Sequence, residues 1–449
     1  MRRNDRAVFL SRPWERSARL GYCVRQQMAS AKPSSRPTAV RYGVLGMTVA
    51  VYMITYMDRV VISNAAPSIR SELGLSLVEM GWIFASFRWS YALFQIPGGW
   101  LGDRIGPRRA LALIVTWWSI FTSATAMAWN AGSMTVIRFL FGVGEAGAFP
   151  IATRSLSRWL LPGERGLGQG LTHAGSRLGA ALTPPIVVAI IAGYGWRAAF
   201  YTFGTLGLIW SAVWFAWYRD TPAEHAAVNA AERQLIEDGS QDHRSIGAAL
   251  TWRKMFANST VWTLCAAYFC YTYALATYLD WLPTYLKEYR HYSLAQMGFY
   301  AMLPLLAGTT GDFIGGWLAD LRLRRTGNLN SRRAVAIAGF LAGAAFIIPA
   351  TLTASPGLCV LFTCVAFFGI ELTVGVSWAI PLDIAGDRAG SVSSLMNMCG
   401  NIGGAISPIV LAYVVKFYGW NVPFLFTAAL CMLGAALYCK IDLDRKVVS

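Results

Sequence analysis

The sequence predicts an all-α membrane protein: twelve transmembrane helices in two six-helix halves. Three observations carry that expectation. Of 449 residues, 55% are hydrophobic and only 14% charged, whereas soluble domains carry roughly 25% charged residues. A water-soluble fold of this size would lack the charge to cover its surface. Apolar runs of about 18–25 residues, long enough to cross a bilayer as helix, recur along the chain. The chain also repeats itself. Pro97-Gly98-Gly99-Trp100-Leu101-Gly102-Asp103 is echoed 217 residues later by Ile314-Gly315-Gly316-Trp317-Leu318-Ala319-Asp320. Tyr194-Gly195-Trp196 with Phe200 returns as Tyr418-Gly419-Trp420 with Phe424, at an offset of 224.

The chain opens on a basic tail, 1–41, with ten basic and two acidic residues. The tail lacks the apolar core of a secretory signal. It reads as disordered; binding to anionic lipid, a resemblance to a transit peptide, and a start at Met28 are the alternatives. The first half, 42–218, holds spans near 42–63, 78–100, 110–128, 133–153, 168–192 and 198–218. A polar connector, 219–258, rich in Ala, Glu and Asp, leads to spans near 259–285, 294–318, 334–353, 357–383, 391–415 and 421–439. The second half thus covers 259–440, and a short tail, 441–449, follows. In lipid every backbone polar group needs an internal partner, so each run must be helical. Pro97-Gly98-Gly99 and Thr183-Pro184-Pro185 are tolerated where neighbouring helices satisfy the freed groups.

Basic residues set the orientation. With the N-terminus inside, the inner loops hold seventeen: Arg104, Arg108, Arg109, Arg154, Arg158, Arg165, Arg219, Arg233, Arg244, Arg253, Lys254, Arg322, Arg324, Arg325, Arg332, Arg333 and Arg388. The outer loops hold five: Arg70, Arg197, Lys287, Arg290 and Lys416. The positive-inside rule places both termini in the cytoplasm. The net charge of +16 would ordinarily suggest a nucleic-acid partner; here it divides into a tail, an orientation code and a few buried arginines. None of the eight cysteines forms a C-x-x-C pair or has histidine at zinc spacing, so they read as small buried hydrophobes. No metal or cofactor site is expected.

Both halves begin inside, so the repeat is parallel, about an axis along the membrane normal, an arrangement suited to alternating access around a central site. Gly99-x-x-x-Asp103-Arg104-x-Gly106-x-Arg108-Arg109 matches the loop 2–3 signature of the major facilitator superfamily. Its counterpart, Gly316-x-x-x-Asp320, has Leu321 where a basic residue is usual. Tyr56-Met57-Asp58-Arg59 with Ala65-Ala66-Pro67, and Tyr91-x-Leu93-x-Gln95-Ile96-Pro97-Gly98-Gly99-Trp100, resemble the anion:cation symporter family. So do Arg138-Phe139-x-x-Gly142-x-x-Glu145, Trp281-Leu282-Pro283-Thr284-Tyr285 and Asn397-Met398-x-Gly400-Asn401. The resemblance covers roughly residues 40–440. That family includes bacterial carriers of galactonate, glucarate and hexuronates.

Four arginines fall inside spans: Arg59, Arg88, Arg138 and Arg177. Charges at membrane depth are costly unless paired or hydrated, so each is a functional candidate. The acids inside spans are Asp58, Glu145, Asp312 and Glu371, with Asp280 and Asp383 nearer span ends. Arg138 and Glu145 stand two turns apart on one helix face, about 10 Å along the axis. Asp58 and Arg59 are adjacent and diverge by roughly 100°, so they serve different roles. The resemblance implies proton coupling at Asp58 and Glu145, a substrate-carboxylate ligand in Arg59, a cavity hydrogen bond from Tyr91, and Arg138 as the switching partner of Glu145. The competing reading is a static salt-bridge network.

Weaker candidates follow. Arg88, Tyr91 and Gln95 share one helix face; Arg88 would suit a dianion or snorkel outward. Ser176 and Arg177 lie where some sugar-acid carriers have a polar contact. Asn397 can bind hydroxyls, and Ser377 with Trp378 can wall the cavity. His173 reads as a packing residue, with a proton relay as the alternative. Asp103, Arg104, Arg108 and Arg109 form a conformational latch. Together these imply a proton-coupled symporter of an organic anion, most simply a sugar acid, acting as a monomer in a bacterial cytoplasmic membrane, with no nucleic-acid partner. The rivals are a carrier of aromatic acids or dicarboxylates and a non-transporting sensor. A membrane enzyme is disfavoured, because no phosphate loop, H-E-x-x-H or nucleophile elbow is present.

Overall fold

The computed structural model describes residues 36–241, 252–385 and 389–443. Expectations for residues 1–35 (Met28 included), Arg244, Arg388 and the last six residues lie outside them. Thirteen α-helices are present among the described residues: α1 Val40–Leu73, α2 Leu77–Thr125, α3 Ala131–Glu145, α4 Ala148–Trp159, α5 Pro162–Trp217, α6 Ala230–Gln241, α7 Trp252–Ala257, α8 Ser259–Thr284, α9 Leu294–Thr326, α10 Arg333–Leu352, α11 Pro356–Ala385, α12 Ala389–Tyr418 and α13 Asn421–Lys440. Capping boxes start several of them. Ser76 with Glu79, Asn130 with Ser133, and Ser293 with Gln296 each exchange side-chain and backbone bonds, satisfying N–H groups that a helix start leaves unpaired.

Most helices follow the expected spans and several outrun them, because backbone bonding continues past the apolar boundary, whereas the span expected over 133–153 is divided between α3 and α4. Two long helices are broken where the sequence separates spans. Gly106 in α2 and Gly195 in α5 both sit at φ +79°, a conformation that costs glycine nothing and other residues dearly. The second Tyr-Gly-Trp makes the same turn, with Gly419 at φ +78°. Seven helical stretches among the described residues are long and apolar enough to cross a membrane: Val40–Leu73, Ala131–Trp159, Glu164–Trp217, Leu329–Leu352, Pro356–Pro381, Val392–Tyr418 and Asn421–Lys440. Helices α2, α8 and α9 fall below that measure. The first and last carry Arg88, Asp103, Arg104, Asp312 and Asp320, and α8 is rich in Tyr and Thr.

Helices α1–α5 pack chiefly on one another, and so do α8–α13. The repeated motif does the same work in each set. A Cβ at Gly98 would lie 2.6 Å from the Gly147 Cα, and one at its repeat equivalent Gly315 would lie 2.7 Å from the Leu372 Cα. Each motif therefore brings two backbones into contact that any side chain would separate.

Contacts between the sets run through α2·α12, α5·α9 and α1·α8, and they gather toward the end opposite the chain termini. There Arg70 pairs with Glu288, Phe84 meets Trp281 edge-on at 5.3 Å, and Gly81 and Gly298 press on Pro408 and Val188. At the terminal end the ion pairs stay within one set. Arg154 holds Asp103, and Arg332 bridges Asp320 and Asp383 at 2.7 and 2.8 Å. Buried Glu232 of the connector helix α6 accepts from the backbone N–H groups of Val40 and Arg41 and from the Arg41 guanidinium at 3.1–3.2 Å, pinning the connector to the start of α1.

Candidate anion-binding site

Helices α1, α2, α3 and α8 enclose a small cavity lined by Tyr56, Arg59, Phe87, Arg88, Arg138 and Asp280, among others. Its volume is about 50 Å³, room for a few waters at the 10–15 Å³ each needs. An organic anion enters only if the helices part.

Arg59 reaches from α1 to the end of α3, where its Nε donates to Glu145. Its guanidinium is also framed by the rings of Tyr91 at 4.7 Å, Tyr56 at 5.0 Å and Phe87 at 5.3 Å, the geometry of cation–π attraction. Arg138, also on α3, lies over the Phe141 ring at 4.0 Å and leaves its Nε and Nη1 without hydrogen bonds. Glu145 thus turns to Arg59 rather than to Arg138, the partner that the family resemblance implies. The reason is distance: both lie within α3, and seven residues separate them by about 10 Å along the axis, too far for a direct pair. Asp58 is fully buried on the far side of α1 and accepts from the Trp118 indole at 3.1 Å. One oxygen each of Asp58 and Glu145, and Arg59 Nη2, have no hydrogen-bond partner.

Two further arginines cross between the sets. Arg88 grips Asp280 of α8 bidentately at 2.9–3.2 Å, the planar fork that arginine alone supplies; it does not snorkel. Arg177 of α5 pairs with Glu371 of α11 at 2.8 Å, and Asp312 of α9 stands 3.8 Å away. The Tyr271 hydroxyl of α8 joins them, accepting from Arg177 and donating to Glu371, both at 3.2 Å. Tyr271 is missing from the sequence reading, and Asp280 and Glu371 appear there only as acids inside or near the ends of spans, with no role assigned. A signal existed: Asp280 follows Asp58 by 222 residues and Glu371 follows Glu145 by 226, both near the repeat offsets.

The remaining candidates divide. Gln95 and Asn397 approach each other across the sets at 3.5 Å. Trp378 is partly exposed and its indole donates to the Tyr268 hydroxyl at 3.1 Å. Ser176 and Ser377 point away: Ser176 donates to His173 O at 2.7 Å, and Ser377 bonds the Tyr438 hydroxyl at 2.7 Å behind α11. His173 stacks with Phe149, their ring planes 9° apart. At the terminal end, Asp103 is held by Arg154. Arg108 binds Phe215 O through its guanidinium and Asp220 through its backbone N–H. Arg104 lies over Trp100 at 5.2 Å, and Arg109 is exposed. Among the described residues no cluster of His, Cys, Asp and Glu could hold a metal ion.

Comparison with known proteins agrees with this architecture. Residues 48–408 match the Major Facilitator Superfamily. The chain is 41% identical over 398 residues to a probable sulfoacetate transporter of Cupriavidus necator, covering 88% of this chain and 92% of that protein. It is 30% identical to a probable galactarate/D-glucarate transporter of Bacillus subtilis, covering 92% of each, and 30% identical to the D-galactonate transporter of Escherichia coli, covering 93% and 98%. Its fold resembles a crystal structure of a bacterial homologue of the human lysosomal transporter Spinster, inward-facing and unoccupied (TM-score 0.77, 19% identity, 91% and 99% of the two chains). The chain belongs to the Major Facilitator Superfamily: it is an all-α membrane protein and a transporter, not an enzyme.

Proposed function

We propose that the protein is a proton-coupled symporter that imports a small organic anion by alternating access. The observation that carries this reading is a charge balance. The interior holds four arginines (Arg59, Arg88, Arg138, Arg177) against five carboxylates (Asp58, Glu145, Asp280, Asp312, Glu371). Fully ionised, that set is already negative by one. Adding an anion to a site of low dielectric raises the repulsion further, and taking up a proton with the anion relieves it. In this reading the substrate carboxylate takes the Arg59 guanidinium from Glu145 by a bidentate grip. Glu145, released, holds a proton, with Asp58 as the second coupling acid. Tyr91, Arg138, Trp378 and Asn397 complete the cavity, and Asp103 with Arg108 holds the terminal end during the rocking step.

The same reading has twelve crossings in two parallel six-helix halves, 42–218 and 259–440, joined by the connector 219–258. Both termini lie inside a bacterial cytoplasmic membrane, and the protein works as a monomer. Closure at the end opposite the termini then corresponds to a state closed to the outside. For the substrate, a sugar acid is supported by the galactarate/D-glucarate and D-galactonate carriers. A second reading, a short doubly charged acid, is favoured by the sulfoacetate relative and by the additional buried arginines. The test is uptake into proteoliposomes under an imposed pH gradient, inside alkaline. Accumulation above equilibrium is expected; accumulation indifferent to the gradient contradicts proton coupling.

A further inference from the structure

We infer that Arg59 and Arg177 form one site for a short dianion, each gripping one of two acidic groups separated by one or two carbons. This rests on the transporter reading above and narrows its substrate class.

Both guanidiniums flank the same ring. Arg59 lies 5.0 Å and Arg177 6.0 Å from the Tyr56 centroid, so their central carbons are no more than 11 Å apart. A bidentate guanidinium–acid pair places the two central atoms about 4 Å apart. Two such pairs, joined by acid groups about 3–4 Å from each other, reach about 11–12 Å when extended, close to that upper limit, and less when bent. A six-carbon diacid in extended form overshoots it by several ångströms. The burial pattern is also matched. The arginine side chains keep 19% and 14% exposure, while their partners Glu145 and Glu371 have none. Each acid is thus enclosed while its arginine keeps some exposure, as an internal counter-ion a substrate group can replace. Tyr56 supplies an apolar floor for the short carbon link. Occupying Arg177 also frees Glu371, so the second acidic group breaks the α5–α11 ion pair, one of the pairs that join the two sets.

The experiment is isothermal titration of the purified full chain with sulfoacetate, malonate, acetate and D-gluconate. Wild type should bind the two dianions at least about tenfold more tightly than the two monoanions. Arg177→Gln should weaken the dianions at least about tenfold more than the monoanions. Arg177→Lys should fall between, since it keeps the charge and loses the fork. Glu371→Gln, which releases Arg177, should tighten dianion binding. Equal affinities in wild type, or a dianion preference surviving in folded Arg177→Gln, overturns the inference and leaves the transporter reading intact. If Arg177→Gln does not fold, Glu371→Gln decides, and weaker dianion binding there overturns it. Failure of wild type to bind any organic anion overturns the transporter reading itself.

Discussion

Two arginine–glutamate pairs lie at the centre of this molecule, and they differ in what they join. Arg59–Glu145 links α1 to α3 within the N-terminal set, among four aromatic rings, those of Tyr56, Phe87, Tyr91 and Phe149. Arg177–Glu371 links α5 to α11 across the sets, with Tyr271 and Asp312 beside it. Breaking the first pair changes which groups carry charge; breaking the second also removes one of the ion pairs that join the two sets, beside Arg70–Glu288 and Arg88–Asp280. In the proposed mechanism, coupling chemistry and mechanical release therefore fall to repeat-related glutamates with different partners.

The largest effect tests the first pair. Arg59→Gln removes the carboxylate ligand and leaves Glu145 buried without its cation, a loss on the scale of about 3–5 kcal/mol. Uptake should fall by about 100-fold or more, read as initial rate in proteoliposomes, and an anion-binding site elsewhere would show as retained uptake. A smaller effect tests whether ties across the sets act in the same way. Asp280→Asn leaves Arg88 without its acid, but Arg88 is partly exposed and can recruit water. Uptake should fall about tenfold, within the range for losing one partner of a charged pair, and the exchange Arg88→Asp with Asp280→Arg should recover part of it. The smallest effect comes from packing alone. Gly298→Leu would drive a side chain into Val188, whose atoms lie 2.8–3.0 Å from the Cβ position. Overpacking of about 1–3 kcal/mol should part α5 from α9 and lower disulfide yield between Arg70→Cys and Glu288→Cys roughly fivefold. An unchanged yield would show that this end is not held by close packing.

Much of the architecture was legible. The Gly-Gly motif and the Tyr-Gly-Trp turn each reappear as the same local structure, because both depend on what glycine lacks and not on remote context. The buried arginines were legible too, since charge inside an apolar run needs no partner to be noticed. Their partners were not. Glu145 lies on the same helix as Arg138 but about 10 Å along it; the family resemblance suggested Arg138 as its partner, whereas Arg59 of α1 reaches it. Ser176 and Arg177 are neighbours whose directions diverge by about 100°; only the arginine reaches the interface, and the serine caps its own helix carbonyl. Arg88 finds Asp280 and Arg177 finds Glu371 across two sets of helices, a relation that along-chain periodicity does not encode. The repeat offset was the one sequence signal linking those acids to Asp58 and Glu145.

The central claim is that an anion and a proton share the Arg59–Glu145 pair. It is tested most directly by following labelled anion and internal pH together in proteoliposomes, for wild type and Glu145→Gln. Wild type should acidify its interior as the anion enters. Glu145→Gln should exchange anion across the membrane while losing both uphill uptake and the accompanying acidification. Anion entry in wild type without acidification, or acidification that persists in Glu145→Gln, would contradict the account.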